Sequence, residues 1–248
     1  MKKRPVWWRT LFRAALLPAV CLLFGGCVYL RLLELKRQFA DFDRYFSVAD
    51  ANGLALTSRN PVLLTEDMDF FGFAPETETR LGAAVLWHLR CTKDYAAAGE
   101  KPGEYEVTAD FTFVDGKLKR VHVPQSVFAF VPKSLVISAL RSLGHASVDQ
   151  AKASARAALD SAGVPRLTHA EILRFFGLPL DTRREAGRLL MHYRYTTVST
   201  LRPAGKIDFT FTLDAASETV LHLEARMPHV RQLEFDWPRP RTAGAASR

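Results

Sequence analysis

The chain is 248 residues long, 48% apolar and formally +8, with 34 basic against 26 acidic side chains and three cysteines. This composition supports one large folded domain or two small ones, and excludes a fibrous or wholly disordered chain. The charge is front-loaded: without residues 1–26 the balance is 29 against 26, so no nucleic-acid partner is implied.

Lys2, Lys3, Arg4, Arg9 and Arg13 form a basic start with no acidic residue, and an uncharged run from Ala14 to Leu30 follows. This is the pattern of an export signal. Gly25 and Gly26 directly before Cys27 resemble a bacterial lipobox, which implies lipidation of Cys27 and loss of residues 1–26. Phe24 departs from that motif, which usually has Leu there. An uncleaved signal anchor stays open, since 17 residues lie at the lower edge of a membrane span. Both readings predict a membrane-anchored chain of the bacterial cell envelope with its folded part outside the cytoplasm. Val28 after the cysteine points to the outer membrane. With Cys21 removed and Cys27 lipidated, Cys91 is left alone, and stability must come from packing rather than a disulfide.

Residues 27–50 read as a tether and amphipathic helix. Leu32, Leu35, Phe39, Phe42 and Phe46 fall at spacings of 3, 4, 3 and 4, with charged residues on the other faces. Such a stripe suits a stalk docked on its own domain, a short coiled coil, or a helix lying on the bilayer.

From residue 51 an internal repeat can be followed. "DFFGFAPE" at 69–76 is echoed by "RFFGLPLD" at 174–181, and "LWHLRCT" at 86–92 by "LMHYRYT" at 190–196, an offset of 104. "DFTF" occurs at 110–113 and 208–211, and His122 then aligns with His222. Four landmarks in one order indicate a duplication covering 51–124 and 165–230. Thr65 and Thr168 are the expected helix N-caps, and Gly72 and Gly177 the helix stops, each followed by a proline. Leu167, Ile172, Phe175 and Phe176 give the second helix a core-facing side. The remaining landmarks alternate with period 2 and read as antiparallel strands, with "DG" at 115–116 as a hairpin turn. The expected fold class is α+β: two tandem units, each a short helix plus an antiparallel three- to four-stranded sheet. The stretch 125–164 reads as a helical linker: one helix ends at Gly144, and a second over 147–163 starts with a capping box of Ser147 and Gln150 and stops at Gly163. Residues 231–248 read as a basic tail, disordered after Trp237.

The helix–glycine–proline start followed by "HYRY", "DFTFTLD" and "LHLEA" resembles the SmpA/OmlA (BamE-like) family of envelope lipoprotein domains. The tandem arrangement is similar to that of the β-lactamase-inhibitor proteins, in which two such units form one saddle-shaped sheet. The resemblance implies a scaffold or binder of other envelope proteins and carries no catalytic residues.

Strand alternation sorts the side chains by face. Trp87, Leu89, Cys91, Phe111, Phe113, Met191, Tyr193, Tyr195, Phe209 and Phe211 fall on the side expected to be core, where Cys91 reads as a small hydrophobe. His88, Arg90, Asp110, Arg120, His122, His192, Arg194, Asp208 and His222 fall on the other side. They form the candidate partner-binding face, expected to be broad and concave; solvated cross-strand ion pairs are the plainer reading of the same residues. The paired histidines allow a metal-binding or hydrolytic alternative, but zinc needs three or four close ligands. No phosphate loop, nucleophile elbow, HExxH or CxxC pattern is present. A non-enzymatic protein without metal or cofactor is expected, tethered to a membrane and binding another envelope protein.

Overall fold

The computed structural model describes residues 28–50, 52–94, 103–128, 131–159 and 166–237. Residues 1–27 with Cys21 and Cys27, Gly163 and the chain beyond Trp237 lie outside them.

Helix α1 covers the described residues 28–40, and α2 (Phe42–Tyr45) leads into strands β1 (Phe46–Ala49) and β2 (Gly53–Ser58). Then come α3 (Thr65–Phe70), β3 (Thr77–Leu81), β4 (Ala84–Lys93), β5 (Val107–Val114) and β6 (Lys117–Pro124). The connection contains α4 (Gln125–Phe128), α5 (Lys133–Leu143), β7 (Ser147–Asp149) and β8 (Ser154–Ala158). The second half is α6 (His169–Phe176), β9 (Asp181–Glu185), β10 (Arg188–Thr197), β11 (Lys206–Asp214), β12 (Val220–Met227) and β13 (Val230–Asp236).

The expected fold class is wrong. The chain is mostly β, and its strands form one mixed 13-stranded sheet in the order β1-β2-β6-β5-β4-β10-β11-β12-β13-β8-β7, with β3 on β4 and β9 on β10. There are no two separate helix-plus-small-sheet units, because an antiparallel ladder between β4 and β10 makes the sheet continuous. The repeat survives as a pattern of pairings inside that sheet. Glu76 N–H donates to His88 O and Leu180 N–H to His192 O; Leu118 N–H donates to Leu63 O and Val220 N–H to Leu167 O. At the seam Thr92 faces Thr196, its counterpart at the offset of 104. Asp94 N–H donates to Arg194 O at 2.9 Å, and Val198 N–H to Arg90 O at 2.8 Å, one bond being the image of the other. A local two-fold axis therefore passes between Thr92 and Thr196.

The second linker helix is also absent: residues 147–149 and 154–158 are strands β7 and β8. β8 runs parallel to β13, and Ala157 and Leu159 are buried beside Phe235 and Trp237. Helix propensity favours alanine by only tenths of a kcal/mol per residue over most alternatives, and a ladder plus burial outweighs it. β13 in turn takes up residues 231–236 of the expected tail. Thr65 is the first helical residue rather than the cap: Leu64 holds the cap position, and its N–H donates to Asp67 Oδ2. Thr168 does cap α6, in a reciprocal box with Glu171. Gly144 ends α5 with an ordinary right-handed φ of −60°. Its role is close approach, since a Cβ there would sit 2.1 Å from Ala40 N.

The apolar face carries the core. Trp87, Leu89, Phe111 and Phe113 pack under Met68 of α3. Met191, Tyr193, Tyr195, Phe211 and Leu213 pack under Ile172, Phe175 and Phe176 of α6 and Leu135, Ala139 and Leu143 of α5. Tyr29 at the start of α1 accepts a hydrogen bond from Gln150 beside β7, yet the same helical stretch leads into β1 at the opposite edge. Ten inter-strand steps of about 4.8 Å would separate those edges by about 48 Å in a flat sheet. The helical chain between Tyr29 and Phe46 covers only about 25 Å. The sheet therefore bows around the helices, with the apolar face inside and the polar face outside; the expectation of a concave polar face is corrected accordingly.

Candidate functional site: the outer polar face

Ladder register decides which side chains meet on the outer face. His88 stands opposite Asp110, and Asp110 opposite His122, on β4, β5 and β6. His88 Nδ1 lies 2.7 Å from Asp110 Oδ1, and His122 Nδ1 3.5 Å from Asp110 Oδ2, so one carboxylate sits between two imidazoles. In the second half Asp208 is again the hub, but its partners differ: His192 Nε2 and Arg194 Nε each approach Oδ1 at 2.8 Å. Arg90, the counterpart of Arg194, instead donates to Glu76 through Nε at 2.9 Å and Nη2 at 2.6 Å, and to Glu106 at 3.2 Å. This two-pronged contact holds the Glu76 carboxyl below the usual carboxylate range and raises Arg90 further. Leu180 occupies the place of Glu76 in the second half, so the two halves carry the same residue types in different circuits.

The third group joins His222 and Glu224 of the second repeat to strands β13 and β8 outside it. His222 Nδ1 is 2.9 Å from Asp236 Oδ1, and Arg156 Nε binds Glu234 at 2.7 Å and Asp236 at 2.9 Å. Arg226 holds Glu224. Donor atoms of His222, Glu224 and Glu234 lie within 4.8 Å of one another, a three-ligand set such as a divalent cation could use. Both carboxylates are nevertheless neutralised by arginines, so a cation there would have to displace two ion pairs. An open cleft of about 470 Å³ borders the group, lined by Arg156, Arg188, Thr212, Leu221, His222, Asp236 and Trp237.

Eight of the nine expected face residues thus belong to polar contacts. Arg120 differs: it is exposed opposite Thr112 and Thr57 and has no ion-pair partner among the described residues. Arg188 is likewise exposed, with no ion-pair partner among the described residues. Sequence reasoning missed Glu76, Glu106, Arg156, Glu234 and Asp236. Arg156 sat in an expected helix and Asp236 in an expected tail; no register could be assigned to Glu76 or Glu106. Cys27, the lipidation candidate, lies outside the described residues. Cys91 is half-buried beside the seam, and burial pushes its thiol up to about 11, the opposite of an activated nucleophile. Among the described residues no helix is long and apolar enough to cross a membrane. Comparison with family models, with curated proteins and with solved structures gives no match to this chain.

Proposed function

We propose that the protein is a membrane-tethered lipoprotein of the bacterial envelope that binds another envelope protein through the outer face of its sheet, without catalysing a reaction. The observation that carries this reading is the outer face itself. Its His, Arg and Asp side chains run across the β4–β10 seam, while α3, α5 and α6 pack on the opposite face. Internal pairing fixes the charged groups in place, so a partner would meet a preorganised surface rather than mobile side chains. Arg120, Arg188 and Lys206 are exposed cations of this face without an ion-pair partner among the described residues, and Arg is enriched in binding hot spots. The basic start, the apolar run and the "GGC" at 25–27 supply the tether, and the resemblance to the SmpA/OmlA (BamE-like) family belongs to the same proposal. The metal-binding alternative built on paired histidines is weaker, because the one three-donor group among the described residues is occupied by Arg156 and Arg226.

The test is photo-crosslinking in cells. A photoreactive residue at position 120 or 188 should give adducts with the same envelope protein. The same residue at Glu66, exposed on α3, should not. Absence of adducts from both outer positions, or identical adducts from Glu66, would overturn the reading.

A further inference from the structure

The described part of helix α1, residues 28–40, opens on the last residues of the apolar run and is fixed to the folded body near both ends. Arg31 donates to Asp67 Oδ2 through Nε at 2.8 Å and to Oδ1 through Nη2 at 2.6 Å. Asp67 is fully buried and also accepts from Leu64 N–H, so this ion pair cannot open without stranding a carboxylate in the interior. Tyr29, two residues earlier, meets Gln150. At the far end, Phe39 stacks on Phe46 at 5.1 Å, Ala40 packs against Gly144, and Arg141 binds Asp43 at 2.6 Å. In the sequence Cys27 directly precedes the described helix, whose residues 28–31 rise about 6 Å, the depth of one headgroup layer.

Leu30, Leu33 and Val148 are left exposed at this corner, at 65%, 39% and 43%. Leu30 and Leu33 share a side of α1, and Val148 lies on β7, two residues from Gln150. Resting on the membrane-tethering reading, we propose that this corner sits in the lipid headgroup layer and orients the whole sheet on the bilayer. The occupant is the bilayer because the charge-free run leads directly into Leu30, so any tether within it brings lipid to these side chains first. Tyr29 suits that interface, where aromatic residues with a polar tip collect.

The register then fixes which end of the sheet faces away. The β7–β8 turn lies at the strand end shared with Val230, Met227 and Lys206, since Gln232 pairs with Ser154 and Asp208 with Arg226. The β11–β12 turn around Ala216 lies at the other end, a strand length of about 30 Å away. Both anchor forms give the same orientation, because both end within a few residues of Arg31.

The experiment uses the full chain reconstituted into phosphatidylethanolamine/phosphatidylglycerol vesicles, in a Cys21→Ala/Cys91→Ala background, with that background labelled alone as the blank for Cys27. A fluorophore is attached at Val148→Cys or at Ala216→Cys, and quenching by lipids spin-labelled near the headgroup is measured. Quenching at position 148 should exceed that at 216 several-fold. Insertion of a six-residue Gly-Ser segment between Cys27 and Val28 should bring the two values together. Equal quenching in vesicle-bound protein overturns the orientation and leaves tethering standing. Failure of the chain to float with the vesicles overturns tethering itself.

Discussion

Cys91 shows how one residue's role follows from where the duplication places it. Its counterpart Tyr195 is buried on the core face, and Cys91 packs against the same cluster beside the seam. Burial raises its thiol from 9.0 to about 11, because a thiolate there would lose its hydration. Between those two values the unfolded chain ionises and the folded chain does not, so the unfolded state binds fewer protons. Stability from this group is therefore complete below pH 9 and is lost as the pH climbs toward 11, by up to about 2 kcal/mol. Chemical denaturation from pH 8 to 11 should show a steeper loss for the natural chain than for Cys91→Ala; parallel curves would remove the argument. The core-face assignment of Trp87, Tyr193 and Phe113 was legible from alternation alone, because a period of two admits only one inner set. The partners on the outer face were not legible. Whether Arg90 meets Asp110 or Glu76 depends on the path of the chain before β3, and no periodicity encodes that path.

At the level of elements, the two helices that open the repeats were found for the right reason, but only one carries the expected cap. Thr168 accepts from Glu171 N–H while Glu171 accepts from Thr168 N–H at 2.7 Å, which ties two otherwise orphaned donors. In α3 Leu64 has no acceptor, and Asp67 alone binds the Leu64 N–H, its charge spoken for by Arg31. Thr168→Ala should cost about 1 kcal/mol and Thr168→Asp should keep most of it, while Thr65→Ala should cost clearly less than Thr168→Ala. Denaturant midpoints of the three variants decide this, and equal losses at 65 and 168 would contradict the cap assignment. The misread stretch at 147–158 makes the complementary point. Its alanines suit a helix locally, yet β13 presents a strand edge of backbone groups that must be satisfied, and Ala155 and Ala157 fit against Leu233 and Phe235. Small side chains at a crowded sheet edge and a helix former look alike in composition.

For the whole molecule the question is whether a sheet joined at its middle behaves as one body. The β4–β10 ladder spans only three residue pairs, which alone would be a weak hinge. It is reinforced on the inner side by contacts that cross between the halves. Gly72 and Gly205 are packed so closely that a Cβ on Gly205 would lie 2.0 Å from Gly72 O. The Arg202 guanidinium sits 4.4 Å over Trp87 and binds Asp69, and Phe70 stacks on His229 at 4.8 Å. Each of these pairs a first-half group with one from the β10–β11 loop or the β12–β13 turn, so neither half can unfold without exposing surface of the other. Unfolding should accordingly be a single transition, despite a sequence that repeats itself. A Trp237→Phe variant, in which Trp87 is the tryptophan of the described core, should give the same midpoint by fluorescence as by far-ultraviolet circular dichroism. Gly205→Ala forces backbone apart at the crossing point and should lower both midpoints together, by about 2–3 kcal/mol. Two separated transitions, or a Gly205→Ala loss seen by one probe only, would mean that the halves fold independently and that the continuous sheet is not the unit of stability.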